Sequence, residues 1–398
     1  MLIKNKVLIV DDDLRISRLL KRIALASDVE TLILNDPHRF EEIYLTYQPN
    51  IILMDLQMPQ VDGIEILRRL AELKSNAAIL IISGMEKNVL ETAVDLGRSL
   101  KLNMAGFLNK PIDVDSVKKV LVKTFVSQKP AGAESFVPTY DDVKLAIERD
   151  ELVVFYQPLI DLETGEIDGL ESLVRWQHPE YGLLFPDSFI PLAEGHVELI
   201  DSLTYRVLEI SLRDDVSRRR KGVELKLAIN LSARLLSDLA LPDKIEKLLK
   251  KYDFSASRLI LEITESGAMD DASLTMDILT RLRVKNMRLS IDDFGTGYSS
   301  LIQLYRMPFN EIKVDKSFVL KAMTDKEAAE ICRITVDLGH SLGLEVVAEG
   351  VEDTETYQFL TQLGCDKAQG YYICRPIESS RLSIWIDEYN EDLQLNGR

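Results

Sequence analysis

The stretch Leu152–Trp176, LVVFYQPLIDLETGEIDGLESLVRW, decides how the second half of this chain must fold. Two apolar, strand-prone segments, LVVFYQPLID and EIDGLESLVRW, are separated only by LETG. A parallel crossover needs a dozen or more residues, so the two strands must pair antiparallel as a hairpin. Further strands are expected downstream at ELKLAIN, RLILEIT, RLSIDD, EIKVD, LEVVAEG and KAQGYYI. Helical stretches of about 15–25 residues separate most of them. About eight strands over roughly 250 residues is the size of a (β/α)8 TIM-type barrel, here irregular because of its initial antiparallel hairpin.

Upstream, the apolar runs KVLIV, VETLILN, NIILMD, AAILIIS and AGFLNK alternate with amphipathic segments such as LRISRLLKRIALA and DGIEILRRLAELK. This alternation predicts a doubly wound, five-stranded parallel α/β domain over residues 1–126. Its site should lie at the carboxyl ends of the strands. The Pro, Gly and Ser content of residues 127–139 reads as a linker, entered from an expected helix DVDSVKKVLVKTF, and the barrel domain should occupy 140–398.

The 398 residues carry a net charge of −17. That balance argues against a nucleic-acid polymer as partner; the only strong basic run is Arg218–Lys221. No apolar run approaches the ~20 residues of a membrane span, and three Asp at once break the first apolar run, so a cytoplasmic protein without signal peptide is expected. Cys332, Cys365 and Cys374 are odd in number and lack C-x-x-C spacing, which suits reduced thiols. His38, His178, His196 and His340 are too scattered for a zinc site.

In the first domain Asp11 and Asp12 follow strand one, Asp55 ends strand three, Ser83 follows strand four and Lys110 follows strand five. Three converging carboxylates call for a hard cation such as Mg²⁺. Asp55, between that ion and Lys110, could attack a phosphoryl donor, with Ser83 bonding a phosphoryl oxygen. The set resembles the receiver domain of two-component response regulators. The resemblance implies Asp55 as phosphoacceptor, Ser83 and Phe107 as switch residues, a cis peptide between Lys110 and Pro111, and a histidine kinase or other phosphodonor as partner.

In the second domain the acids again fall at strand ends: Glu171, Glu262, Glu265, the adjacent Asp292 and Asp293, Asp315 and Glu349, with Asn230, Lys313 and Gln369 among them. A barrel turns all of them toward one rim. So many carboxylates need cations, and an all-oxygen donor set selects Mg²⁺ or Mn²⁺ over zinc or copper. IDDFGTGYSSL, Ile291–Leu301, lacks the G-K-[ST] of a phosphate loop, so its paired Asp read as ligands of two ions and Gly295 and Gly297 as hinges of a tight loop.

Together with INLSA, LEITES, IKVDKSFV, VVAEGVE and AQGYYICRP, these segments resemble the EAL family of cyclic di-GMP phosphodiesterases. The resemblance implies two-metal hydrolysis of cyclic di-GMP to linear pGpG. Glu171, Asn230, Glu262 and Asp292 would hold one ion, and Asp292, Asp293 and Glu349 the other. Lys313 would position the attacking water, Glu265 brace the loop from Asp293 to Leu301, and Gln369 support Glu349 and the water. Gln157, Arg175 and Asp315 would face the substrate. The family triplet reads Glu171-Ser172-Leu173, with Ser for the usual Ala; strand alternation turns Ser172 away from the ligand face. Both domain types commonly self-associate, so a homo-oligomer is expected. Phosphorylation of Asp55 is expected to act through the last receiver helix on the 293–301 loop. Two other readings are a catalytically inactive cyclic di-GMP sensor and an adaptor with no ligand. Turnover, binding alone, or neither separates the three.

Overall fold

A computed structural model describes residues 6–25, 29–59, 61–112, 117, 136–220, 222–265, 267, 272–295 and 301–396. The expected receiver helix 113–125 (apart from Val117), linker residues 127–135 and loop residues 296–300 lie outside the described residues. The chain divides into two compact units, Met1–Ser135 and Phe136–Arg398.

The first unit is a five-stranded parallel sheet: β1 Lys6–Val10, β2 Glu30–Leu34, β3 Ile51–Met54, β4 Ala78–Ser83 and β5 Met104–Asn109. The strand order β2-β1-β3-β4-β5 reverses direction between β1 and β3. Because helices cover both faces, successive strand residues enter different cores. Leu8, Val10, Ile52 and Met54 pack into one cluster, and Val7, Ile9, Ile51 and Leu53 into the other. The reversal opens a crevice at the carboxyl ends of β1 and β3, where Asp11 and Asp55 emerge.

The second unit closes a barrel from eight strands: β6 Leu152–Asp161, β7 Ile167–His178, β9 Lys226–Asn230, β10 Leu259–Thr264, β11 Arg288–Phe294, β12 Glu311–Val314, β13 Glu345–Glu349 and β14 Lys367–Gln369. β6 runs antiparallel to both β7 and β14, as the LETG connection requires, and all other barrel neighbours are parallel. Two short strands escape the sequence pattern: β8 Gly182–Leu184 extends β7 into an arm, and β15 Ile377–Glu378 pairs with β6. β14 is shorter than the sequence suggests, because the backbone turns at Gly370 and GYYI leaves the sheet.

The end of the barrel opposite the acidic rim is stitched by charge. Lys367 Nζ lies 3.0 Å from Asp168, 3.0 Å from Glu311 and 2.6 Å from Glu345. Lys226 pairs with Asp168 at 2.6 Å, and Arg288 with Glu345 at 2.6 Å. Lys367 and Glu311 are buried, so each charge depends on its partners. Removing one member of such a cluster leaves an uncompensated buried charge at a cost of about 3–5 kcal/mol. Lys367→Ala should therefore lower the unfolding free energy by that order, read as a shift in urea midpoint.

Candidate active site

The first unit gathers Asp11, Asp12 and Asp55 at the β1/β3 crevice, with one carboxylate oxygen from each within 4.8 Å of the others. Lys110 reaches over from the end of β5, its Nζ 2.5 Å from Asp55 and 3.0 Å from Asp11. Burial pushes the Asp11 carboxyl up, and the hydrogen bond from Lys110 only partly offsets it. The Lys110–Pro111 peptide is cis. Ser83 is fully buried, its hydroxyl without a hydrogen-bond partner among the described residues. Phe107 is half-buried against the core that contains Ile81 and Leu90. The three carboxylates form an all-oxygen donor set that fits a hard divalent ion.

The barrel's carboxyl-end rim converges on Lys313. Its fully buried ammonium lies 2.8 Å from Glu262, 3.4 Å from Asp292 and 2.5 Å from Glu349. Burial alone would depress this lysine, but Asp292, Glu171, Glu262 and Glu349 outweigh it and push it well above its usual value. The acids show the converse. Burial raises Glu262 well above the carboxylate range and Glu349 to about 8. Burial, then Asp292 and Asp315, push Asp293 up to about 6.

Adjacent residues on a regular strand point to opposite faces, yet Asp292 and Asp293 reach one site. A bulge makes this possible. Ile291 pairs with Ile312 but Phe294 with Val314, so three steps on β11 match two on β12. Asp293 takes a left-handed backbone with φ of 54°, followed by Gly295 at 96°. Asp is among the few side chains that tolerate this region. Oxygens of Asp292, Asp293 and Glu349 consequently lie within 4.8 Å of one another. Glu265 accepts the Gly295 N–H at 2.9 Å and so holds the start of the loop.

The other sequence-selected residues divide. Glu171 accepts hydrogen bonds from Asn230 at 3.1 Å and from Gln369 at 2.5 Å. Gln369 was expected beside Glu349. They are neighbours in β-sheet register, but the Gln369 side chain crosses toward β6 and β7, where it also donates to Gln157. Gln157, Arg175, Glu171, Asp292, Asp293 and Glu349 line a cleft of about 350 Å³. Asp315 is not in that lining; it caps the Lys316–Val319 helix through the Ser317 N–H, next to Asp293. Arg175 lies between Phe185, 5.0 Å from its ring centre, and Phe155, at 5.8 Å. Asn230 and Glu262 instead line an adjoining cavity with Glu171 and the buried Ser172, whose hydroxyl has no partner among the described residues. The cleft also includes Tyr371, Lys316 and Glu352, which sequence reasoning passed over. Tyr371 follows Gln369 in QGYY, and that adjacency was the available signal.

The EAL domain model matches residues 141–376. The chain belongs to the EAL domain family. The response regulator receiver domain model matches residues 7–122, in front of the EAL domain. The cyclic di-GMP phosphodiesterase RocR of Pseudomonas aeruginosa is 31% identical over 331 residues, covering 82% of this chain and 84% of RocR. MucR of the same species, a bifunctional diguanylate cyclase/cyclic di-GMP phosphodiesterase, is 39% identical over 259 residues, 65% of this chain. The chain spans only 38% of MucR's length. The solved MucR phosphodiesterase in complex with c-di-GMP is similar to the EAL domain here, with 40% identity and a TM-score of 0.58 over 61% of this chain and 98% of that one. Among the described residues no helix is long and apolar enough to cross a membrane.

The raised acids of the EAL domain make a prediction about cation binding. If Glu349, pushed up to about 8, is a ligand, a cation binding at pH 7 should displace a proton from it. Mg²⁺ affinity should rise from pH 6 to pH 8 and level off above it. Calorimetry in buffers of different ionisation enthalpy should show proton release at pH 7, reduced in Glu349→Gln.

Proposed function

We propose that this chain is a cytoplasmic cyclic di-GMP phosphodiesterase that hydrolyses cyclic di-GMP to linear pGpG under the control of its receiver domain. The observation that carries the reading is the close acid set Asp292, Asp293 and Glu349 lining one cleft together with Arg175 and Gln157. Carboxylates alone would repel a phosphodiester, so this cleft suits an anionic substrate only when cations are bound. Two Mg²⁺ or Mn²⁺ ions there would make a water nucleophilic and neutralise charge developing on the phosphate.

The residues of the chain then divide the work. Asp292, Asp293 and Glu349 would hold one ion, and Glu171, Asn230, Glu262 and Asp292 the other. Lys313, whose ammonium lies among these carboxylates, orients the attacking water and limits their mutual repulsion. Gln369 fixes the orientation of Glu171. Arg175 offers a cation to a non-bridging phosphate oxygen, or its flat face to a guanine. Water adds to phosphorus as one phosphodiester P–O bond breaks, and the proton the water gives up is balanced by the one the departing ribose oxygen takes. Opening one of the two bonds gives the linear product.

In the receiver domain, Asp55 is the proposed phosphoacceptor. Lys110 and an ion on Asp11, Asp12 and Asp55 would offset charge on the phosphoryl group. The buried, unpartnered Ser83 hydroxyl supports its reading as the donor to a phosphoryl oxygen.

Incubation with cyclic di-GMP and Mg²⁺ should release pGpG, detected by chromatography. EDTA should stop the reaction, and Ca²⁺ should inhibit it, because its looser coordination places water poorly. Glu171→Ala, Asp292→Ala and Glu349→Ala should each lower kcat by at least about 10²-fold, Lys313→Ala should lose turnover while binding metal, and Ser172→Ala should stay within about twofold of wild type. Full activity in EDTA would overturn the metal reading.

A small phosphodonor should phosphorylate wild type but not Asp55→Asn, and change turnover by about 5–150-fold, the range of a coupling of ~1–3 kcal/mol. Equal turnover of phosphorylated and unphosphorylated protein would sink the regulatory part alone.

A further inference from the structure

The arm formed by the end of β7 and by β8 carries Arg175 on one face and an aromatic cluster on the other. Trp176 pairs with Leu184 and His178 with Gly182, so the two strands form one ribbon. The turn at its tip is closed by His178, whose Nδ1 accepts the N–H groups of Glu180 and Tyr181 at 3.1 and 3.2 Å. On the return side Phe185 presents its ring to Arg175. Among the described residues the Arg175 guanidinium donates one hydrogen bond, to the neighbouring Val174 carbonyl on its own strand. Its backbone is held in the β6–β7 ladder opposite Val153, so what the arm can set is the direction of the side chain, through Phe185.

Phe136 covers the outer face of that arm. Its ring stacks on Tyr181 with centroids 4.5 Å apart and planes 19° apart. It lies 4.5 Å from the His178 ring and meets Trp176 edge-on at 5.5 Å. One side chain thus touches both the stem and the tip of the ribbon. Its own position is fixed immediately downstream: Pro138 is buried, and Thr139 and Asp142 form a reciprocal cap that starts the Tyr140–Glu148 helix.

We infer that Phe136 is a positioning residue that clamps the β7–β8 arm and thereby sets where Arg175 meets the substrate. The inference rests on reading the cleft as the cyclic di-GMP site. In sequence Phe136 is also where the 127–139 segment joins the barrel unit, so the clamp sits where the chain arrives from the receiver domain.

The test is a double-mutant cycle in the full-length protein. Phe136→Ala should raise KM for cyclic di-GMP roughly tenfold and change kcat by less than about twofold, because the lost contact is made equally in ground and transition states. Phe136→Tyr, which keeps the ring, should restore the wild-type KM. In an Arg175→Ala background, Phe136→Ala should add nothing, since it acts through that arginine. A Trp385→Phe background leaves Trp176 as the single tryptophan, and its emission should shift in Phe136→Ala but not in Phe136→Tyr. An unchanged KM in Phe136→Ala, or fully additive effects with Arg175→Ala, would overturn the inference. The same cycle read on the Kd of cyclic di-GMP in Ca²⁺ keeps it separate from catalysis. Coupled Kd values without turnover would support the clamp and remove the hydrolase reading; additive Kd values alongside normal turnover would do the reverse.

Discussion

Everything at the carboxyl end of this barrel depends on how a crowd of carboxylates is kept from driving itself apart. Two like charges 4 Å apart repel by about 4 kcal/mol at an effective dielectric of ~20, and Glu171, Glu262, Asp292, Asp293 and Glu349 contribute several such pairs. Apolar packing in the barrel does not remove that repulsion. Lys313 does so in part, because three of these acids lie within ion-pair distance of one buried ammonium. Burial first, and the neighbouring carboxylates after it, push Glu262 and Glu349 upward, a direction that favours protonation and so less repulsion. The excess of acid over base is a standing demand for divalent cations.

The opposite end shows what a purely structural solution looks like. There Lys367, Lys226 and Arg288 face Asp168, Glu311 and Glu345, so cations and carboxylates balance. Both ends place a buried lysine on a barrel strand, Lys313 on β12 and Lys367 on β14. One end is neutralised by the chain itself and the other is not. This contrast needs no relative to be seen, and it supports the proposed placement of the reaction at the acidic end.

The sequence made the two folds legible because both announce themselves through spacing. The LETG connection is too short for anything but a hairpin, and strand-end acids recur at intervals that only parallel strands could align. Side-chain pairing was less legible. Gln369 and Glu171 are 198 residues apart, and nothing local shows that Gln369 turns to β7 rather than to its register neighbour Glu349. Asp315 reads as one more rim carboxylate, yet a helix starts immediately after it and takes its side chain as a cap. The bulge at Asp293 was invisible because alternation predicts a regular strand, and regularity would have sent one of the two Asp outward. Phe136 falls in a segment whose Pro and Gly content reads as linker, and composition carries no record of an aromatic partner waiting on another element.

The left-handed backbone at Asp293 narrows what evolution can do with this position. Most side chains are strained there; Asn, Asp and Gly are the readily tolerated choices. Asn preserves the bend and one carbonyl oxygen while discarding the charge, and its codons differ from those of Asp by a single base. On the proposed ligand roles, a lineage can therefore pass from consuming its nucleotide to merely retaining it without refolding the strand end. The same geometry that lets two neighbouring acids share a site leaves catalysis one mutational step from a receptor.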